Sequence, residues 1–193
     1  MRIYAASAYD QTSPPGDSDW GGSGGAGTGA PNASSANTTC PDTGISDHLY
    51  LTFAATRVGA GTISGGVRLK LVLGGADPTK VAVDIFWTRN NGINGGQDTS
   101  NVQFLANQSF TFNNTGATPT FSGDPTTGLV DMTFPITALT AAHVATGTAT
   151  MEIDLDLSAG AGADVTLSVD STWLDCPPAS GGRRSVRYKR RAV

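Results

Sequence analysis

In the segment Met151-Glu152-Ile153-Asp154-Leu155-Asp156-Leu157, apolar and acidic residues alternate without a break. Successive residues of a β-strand point to opposite faces of a sheet, so this segment presents four apolar side chains on one face and three carboxylates on the other. Such alternation is typical of an antiparallel strand with one buried face and one face in water. The segment therefore predicts an all-β protein.

The same period of two recurs on both sides of this segment. Leu49, Leu51 and Phe53 alternate with other residues, and so do the apolar residues from Val67 to Leu73. Short turns rich in Gly and Asn separate the predicted strands, and only residues 139–144 suggest a helical turn. Further strands are predicted at residues 80–88, 100–105, 109–113, 118–122, 128–134, 147–157 and 164–174. We expect an antiparallel two-sheet β-sandwich, jelly-roll-like, with about eight or nine strands.

The first 47 residues lack this alternation. A glycine-rich run from Gly21 to Gly29 and the polar stretch 32–39 offer too little apolar surface to offset the entropy lost on ordering. The sequence thus predicts a flexible Gly/Ser-rich N-terminal arm over residues 1–47. Its aromatic residues are predicted to anchor on a partner or neighbouring subunit, and they are Tyr4, Tyr9 and Trp20.

A β-domain is predicted over residues 48–176, followed by a basic tail over residues 177–193. The chain of 193 residues has a formal net charge of −4, yet six of its twelve basic residues lie in the last eleven positions. The rest of the chain therefore carries six basic against sixteen acidic residues, a net charge of −10. The predicted contact residues of the tail are Arg183, Arg184, Arg187, Tyr188, Lys189, Arg190 and Arg191.

Three interpretations of the tail stay open: a solvated tail, a contact with nucleic acid or another polyanion, and a docking arm on another subunit. The acidic body would be repelled by nucleic acid, so we expect nucleic-acid contact through the tail only. No apolar run approaches the roughly 20 residues that cross a bilayer, so we expect no membrane partner. No secretory signal pattern is present, so we expect synthesis in a cytoplasm, with export by another route or prior removal of a signal as the alternatives.

Two cysteines bracket the predicted β-domain. Cys40 shortly precedes the first strand of this domain and Cys176 follows the last one. A disulfide between them would stabilise the fold by roughly 4–5 kcal/mol, because it closes a long loop in the unfolded chain. Two reduced thiols are the alternative, and the absence of a signal sequence favours neither.

No catalytic constellation emerges, and we expect a protein that is not an enzyme and uses no cofactor. The nucleophile-elbow pattern over residues 21–25 lacks the strand and helix that the elbow requires. Ser46, Asp47 and His48 are consecutive, so on an extended chain they point in alternating directions and cannot form a relay. His143 is isolated in the sequence.

Two weaker candidates for binding remain. Glu152, Asp154 and Asp156 share a strand face and could attract a cation, although a solvated acidic stripe is the simpler interpretation. The Asn/Gly-rich loop over residues 90–97, with Trp87 and Arg89 at its base, could offer polar contacts to a sugar or a protein. Trp87 and Trp173 are the aromatic candidates for carbohydrate binding, although core packing is the simpler role for both.

These features favour a building block of an assembly. We expect a virion structural protein, in particular a bacteriophage capsid decoration or cement protein or another capsid or tail component. It would assemble through its terminal arms with other virion subunits, including copies of itself as a homo-oligomer. The alternative is an extracellular carbohydrate-binding or adhesive β-sandwich module.

Overall fold

A computed structural model describes residues 1–11, 27–30, 36–40, 46–75, 81–88, 102–105, 111–114, 120–125, 127–136, 139–157 and 165–180. This part of the chain forms two antiparallel sheets and one helix, so the prediction of an all-β protein is confirmed. The strands of sheet A are β1 (Arg2–Tyr4), β3 (Ala36–Cys40), β5 (Ile63–Val72), β9 (Thr120–Phe121), β10 (Val130–Ile136) and β12 (Val165–Asp175). Those of sheet B are β2 (Ser7–Gln11), β4 (Ser46–Thr52), β6 (Val81–Thr88), β7 (Val102–Leu105), β8 (Thr111–Asn114) and β11 (Thr150–Leu157).

Sheet A has the order β1-β12-β5-β10-β9, and sheet B has the order β2-β4-β11-β6-β7-β8. In sheet A, one edge of β12 pairs with β5, and β1 and β3 divide the other edge between them. In sheet B, the segment that opened the sequence analysis is the third strand, β11, which pairs with β4 on one side and β6 on the other. The prediction of a strand over this segment is therefore confirmed, and the pairing shows that it is a central one.

Apolar side chains from both sheets form one buried cluster. Sheet A contributes Val67, Leu69 and Leu71 from β5, and sheet B contributes Met151 and Ile153 from β11. The alternation that the sequence shows along these strands is thus the alternation between a core face and an outer face. Burial of each such side chain stabilises the fold by about 1.5–3 kcal/mol before conformational entropy is counted.

A β-bulge in β12 changes which of its residues face the core. The pairing with β5 shifts register between Val169 and Ser171, which inserts one extra residue. Before the bulge, the odd-numbered residues of β12 belong to the apolar cluster. After the bulge, the even-numbered residues Leu174 and Cys176 belong to it. Trp173 is consequently on the outer face of sheet A, a position that a regular strand would not give it.

The N-terminal residues are part of both sheets. β1 pairs with Trp173–Asp175 of β12, and β2 pairs with residues 48–52 of β4. Between them the backbone crosses from sheet A to sheet B: the Ala5 N–H donates to the Thr172 carbonyl at 3.0 Å and the Ala6 N–H to the Thr52 carbonyl at 2.8 Å. Ala5 is 3% exposed.

The predicted N-terminal arm is therefore wrong for residues 1–11, 27–30 and 36–40. The composition of residues 1–47 indicated too little apolar surface for a core, but strands at a sheet edge are held by backbone hydrogen bonds that composition does not report. Residues 27–30 contribute in the same way, because the Gly29 N–H donates to the Ala5 carbonyl at 3.1 Å and the Thr172 hydroxyl donates to the Gly27 carbonyl at 3.1 Å. The β-domain thus begins before residue 48.

Of the two alternatives for the cysteines, the Cys40–Cys176 disulfide is absent, since Cys176 is a free thiol. Cys40 is opposite Val165 at the start of β12, and Cys176 follows the other end of that strand as a buried free thiol. Eleven residues of extended chain separate these ends by roughly 30 Å or more, whereas bonded cysteines have Cα atoms within about 7 Å. Both cysteines are at the borders of β12, and spacing along the sequence does not tell which border each one occupies.

The integration of the N-terminal strand can be tested with a matched pair of variants. Ala5→Glu places a carboxylate at a buried crossover position, and we expect it to lower the free energy of unfolding by about 3 kcal/mol or more, or to prevent folding. Ala6→Glu adds the same charge at an exposed neighbour and should stay within about 0.5 kcal/mol of the parent. Urea denaturation checks both, and equal effects of the two substitutions would contradict the crossover.

Candidate functional site

The outer face of sheet B carries a row of hydroxyls next to a buried carboxylate. Tyr50 and Glu152 are opposite each other on β4 and β11, and the Tyr50 hydroxyl donates to Glu152 Oε1 at 3.0 Å. Both residues are 7% exposed. In the neighbouring row, the Ser7 and Thr52 hydroxyls are hydrogen-bonded to each other, and Thr150 is fully buried with a hydroxyl that has no hydrogen-bond partner.

The predicted solvated acidic stripe is thus wrong for its first member. Glu152 is buried beside Tyr50, while Asp154 and Asp156 follow at alternate positions of β11. The register places Asp154 between His48 of β4 and Asp84 of β6. The side chains of His48, Asp84, Asp154 and Asp156 lie outside the described part. Cation binding by Glu152, Asp154 and Asp156 therefore stays a prediction. No group of three potential metal ligands is found among the described residues.

The two sheets differ in charge. The strands of sheet B contain six acidic residues and, in the described ranges, neither lysine nor arginine. The six are Asp10, Asp47, Asp84, Glu152, Asp154 and Asp156. The strands of sheet A contain three acidic residues, Asp131, Asp170 and Asp175, and three basic ones, Arg2, Arg68 and Lys70. The strands of sheet A are therefore neutral in sum, and those of sheet B carry the negative charge.

Two arginines on the outer face of sheet A are held by aspartates on neighbouring strands. Arg2 donates from Nε and a terminal nitrogen to Asp175 at 2.9 and 2.7 Å, and Arg68 contacts Asp131 in the same way at 2.7 and 3.3 Å. These hydrogen bonds raise the pKa of both guanidinium groups. The paired geometry fixes each arginine and neutralises each carboxylate, so this face offers two satisfied ion pairs.

Trp173 lies flat on this face. A Cβ atom built on Gly66 of β5 would come within 2.3 Å of the Trp173 ring, so only glycine leaves room for the indole. The Arg2 guanidinium lies over the ring at 4.6 Å from its centroid, in cation–π geometry. Trp173 is 1% exposed, and its Nε1 has no hydrogen-bond partner. The ring is therefore closed to a sugar.

The other aromatic and loop positions that the sequence analysis named lie in strands or outside the described residues. Trp87 is at a register position opposite the core residue Met151. Tyr4 pairs with Trp173 across β1 and β12, so its backbone is part of sheet A, and its role as an anchor on a partner stays a prediction. Tyr9 is opposite Tyr50 within sheet B. Trp20, the loop over residues 90–97 and the basic tail from Arg183 to Arg191 lie outside the described residues.

The candidate catalytic residues have structural roles or stay apart. His143 is in the short helix α1 (Ala141–Thr146), where its Nδ1 accepts a hydrogen bond from the Thr140 N–H at 3.1 Å and caps the helix. The predicted helical turn at residues 139–144 is thus confirmed, displaced by two residues. Ser46, Asp47 and His48 are consecutive residues of β4, and the run over residues 21–25 lies outside the described part. Burial raises the pKa of the Cys176 thiol, which makes it a poor nucleophile.

Sequence reasoning missed Arg2, Gly66 and Arg68. Gly65-Gly66, directly before the alternating residues from Val67 to Leu73, was an available signal, because glycine within a strand marks the close approach of another group. The two ion pairs gave no such signal, since Arg2 and Asp175 are 173 positions apart and meet only through the strand order.

The fit between Trp173 and Gly66 can be tested with two glycine variants. Gly66→Ala should lower the free energy of unfolding by about 2–3 kcal/mol, because its Cβ collides with the indole and also comes within 2.8 Å of the Met132 carbonyl oxygen. Gly128→Ala is the matched control, since its Cβ would meet nothing within 4 Å, and should change stability by less than about 0.5 kcal/mol. Thermal denaturation of both variants measures the difference.

A second pair of variants tests the hydroxyl row of sheet B. Thr150→Val replaces a buried hydroxyl without a partner by a methyl group, and we expect a gain in stability of about 1 kcal/mol. Thr52→Val removes a hydroxyl that is hydrogen-bonded to Ser7, and we expect a loss of up to about 1 kcal/mol. A loss of stability in Thr150→Val would mean that this hydroxyl has a partner in solution.

No protein-family model matches the chain, and no curated protein shows significant similarity to it. Among solved structures, the K1 cleaved adhesin domain of Lys-gingipain from Porphyromonas gingivalis W83 is similar, with a TM-score of 0.35 and 11% sequence identity over 94% of this chain and 99% of that chain. This similarity is too low to support an inference about fold or function. No helix in the described residues is long and apolar enough to cross a membrane.

Proposed function

We propose that this protein is a non-enzymatic structural subunit that assembles through contact between its basic tail and the acidic body of a neighbouring copy. The observation that carries the proposal is the separation of charge along the chain. Six basic residues lie in the last eleven positions, and the remaining chain has a net charge of −10. Opposite charges on two parts of one chain attract between copies and steer their encounter.

The folded part of the chain is suited to a structural role. Two antiparallel sheets share one apolar core, which supports the two-sheet β-sandwich, jelly-roll-like arrangement that we propose for it. The described side chains that carry chemistry serve the fold instead: His143 caps a helix and Cys176 is buried. The N-terminal strands are part of the sheets, so the proposal assigns docking to the C-terminal tail alone.

The setting that we propose is a virion, with the chain as a bacteriophage capsid decoration or cement protein or another capsid or tail component made in the host cytoplasm. Regular particles repeat one contact many times, so a modest electrostatic contact between copies suffices when it is multiplied. The alternative of an extracellular carbohydrate-binding module draws no support from Trp173, whose ring is buried under Arg2.

The self-association of the full chain tests this proposal. After nuclease treatment, sedimentation should show oligomers at about 0.05 M salt and monomers at about 0.5 M salt, because salt screens contacts between exposed charges. A variant with all six basic tail residues replaced by glutamine should stay monomeric at both salt concentrations. Electron microscopy of the low-salt oligomers should show regular assemblies.

The control is Arg57→Gln, which removes one exposed positive charge from the loop between β4 and β5 and should oligomerise as the parent does. A chain that is monomeric at both salt concentrations, or oligomers that survive neutralisation of the tail, would overturn the proposal. Specific retention by a glycan array together with monomeric behaviour would replace it with the carbohydrate-binding alternative.

A further inference from the structure

We propose that the loop between β4 and β5 anchors the root of the basic tail, and that this anchor makes assembly through the tail regular. The root consists of residues 176–178, which follow β12 directly. This inference rests on the proposed function, in which the charges of the tail attract neighbouring copies. The anchor adds a fixed point on the body from which every tail starts.

Backbone contacts hold the root against the loop. The Gly59 N–H donates to the Pro177 carbonyl at 2.8 Å, and Val58 forms an isolated antiparallel bridge with Pro178. Proline has no backbone N–H, so the root offers only carbonyl acceptors here and the loop supplies the donor. Because β12 ends at Asp175, these contacts continue the fixed path of the chain past the end of the strand.

Two glycines fit the loop to the root. A Cβ atom built on Gly59 would come within 2.4 Å of the Pro178 carbonyl oxygen, and one built on Gly61 within 2.9 Å of Pro177 Cγ. Gly61 also has a φ of +143°, a conformation that other residues rarely adopt. Glycine at both positions therefore lets the backbone of the loop approach the prolines closely.

The root is stiff as well as anchored. Each proline ring fixes φ at about −65°, so two consecutive prolines restrict the direction in which the chain continues. Arg183, the first basic residue of the tail, is five positions after Pro178, and five residues of extended chain span at most about 18 Å. A tail that starts at one fixed point can therefore repeat the same contact in every pair of copies, as a regular assembly requires.

The charges next to the root favour another copy as the partner of the tail. Arg57, which precedes Val58 in the loop, is exposed and has the same sign as the tail. Asp175, the last residue of β12, is held by Arg2 through two hydrogen bonds. Neither position offers the tail an unpaired carboxylate of its own copy, which favours contact with a neighbour.

Gly59→Ala tests the anchor, because its Cβ collides with the root while all six basic residues of the tail remain. Cys176 begins the root and is 4% exposed, so its labelling by a maleimide reports release of the root, and peptide mapping separates it from Cys40. We expect Cys176 to be labelled about tenfold faster than in the parent. Gly128→Ala adds the same methyl group where it meets nothing within 4 Å, and should be labelled as the parent is.

The regularity of the low-salt oligomers is the second readout. Gly59→Ala should retain salt-sensitive self-association within about threefold of the parent, since the charges of the tail are unchanged. Electron microscopy should show particles of mixed size for Gly59→Ala, and regular assemblies for the parent and Gly128→Ala. Pro177→Gly with Pro178→Gly keeps the carbonyl acceptors but removes the stiff rings, and should lose regularity in the same way. This double variant replaces Gly59→Ala if thermal denaturation shows that Gly59→Ala does not fold.

Three results would overturn the anchor and leave the proposed function standing. They are labelling of Cys176 at the parent rate in Gly59→Ala, regular assemblies from a variant whose root is released, and a folded Gly59→Ala that does not self-associate. If the parent itself does not self-associate, or if its oligomers survive neutralisation of the tail, the proposed function and the anchor both fail.

Discussion

The crossing of the backbone at Ala5 and Ala6 is the constraint on which the rest of the structure depends. One amide donates to sheet A and the next to sheet B, so the first eleven residues pair with both sheets. Arg2 is positioned over Trp173 because β1 is fixed there, and the bulge in β12 turns Trp173 outward to meet it. This contact buries the Trp173 ring on the outer face of sheet A.

The difference between the two outer faces links the fold to the proposed function. Asp131 and Asp175 of sheet A are matched by arginines on adjacent strands, whereas the strands of sheet B contain six acidic residues and, within the described ranges, no lysine or arginine. A surplus of negative charge weakens an isolated fold, and binding of a cationic segment offsets this repulsion. In the proposed assembly, the basic tail of a neighbouring copy is that cationic segment. The negative charges that destabilise the isolated chain therefore favour association.

The sequence predicted the fold class and the core because alternation of apolar residues is a local signal. Leu49, Leu51, Val67 and Leu69 are buried as their spacing indicated. The contributions of Ala5 and Gly27 were missed, because strand pairing at an edge depends on backbone groups that any residue possesses. The site was less predictable: contacts such as Arg68 with Asp131 follow from strand order, and strand order is a non-local property that no window of the sequence contains.

The most direct test of the central claim is hydrogen exchange at the amides of Ala5 and Ala6. Their donation to Thr172 and Thr52 ties the N-terminal segment to both sheets. Exchange should therefore be slowed at both positions to rates near those of amides in the pairing of β5 with β12, since opening either bond requires the edges of both sheets to open. Exchange at both amides at the rate of an unstructured peptide would contradict the crossover and return residues 1–11 to the role of a flexible arm.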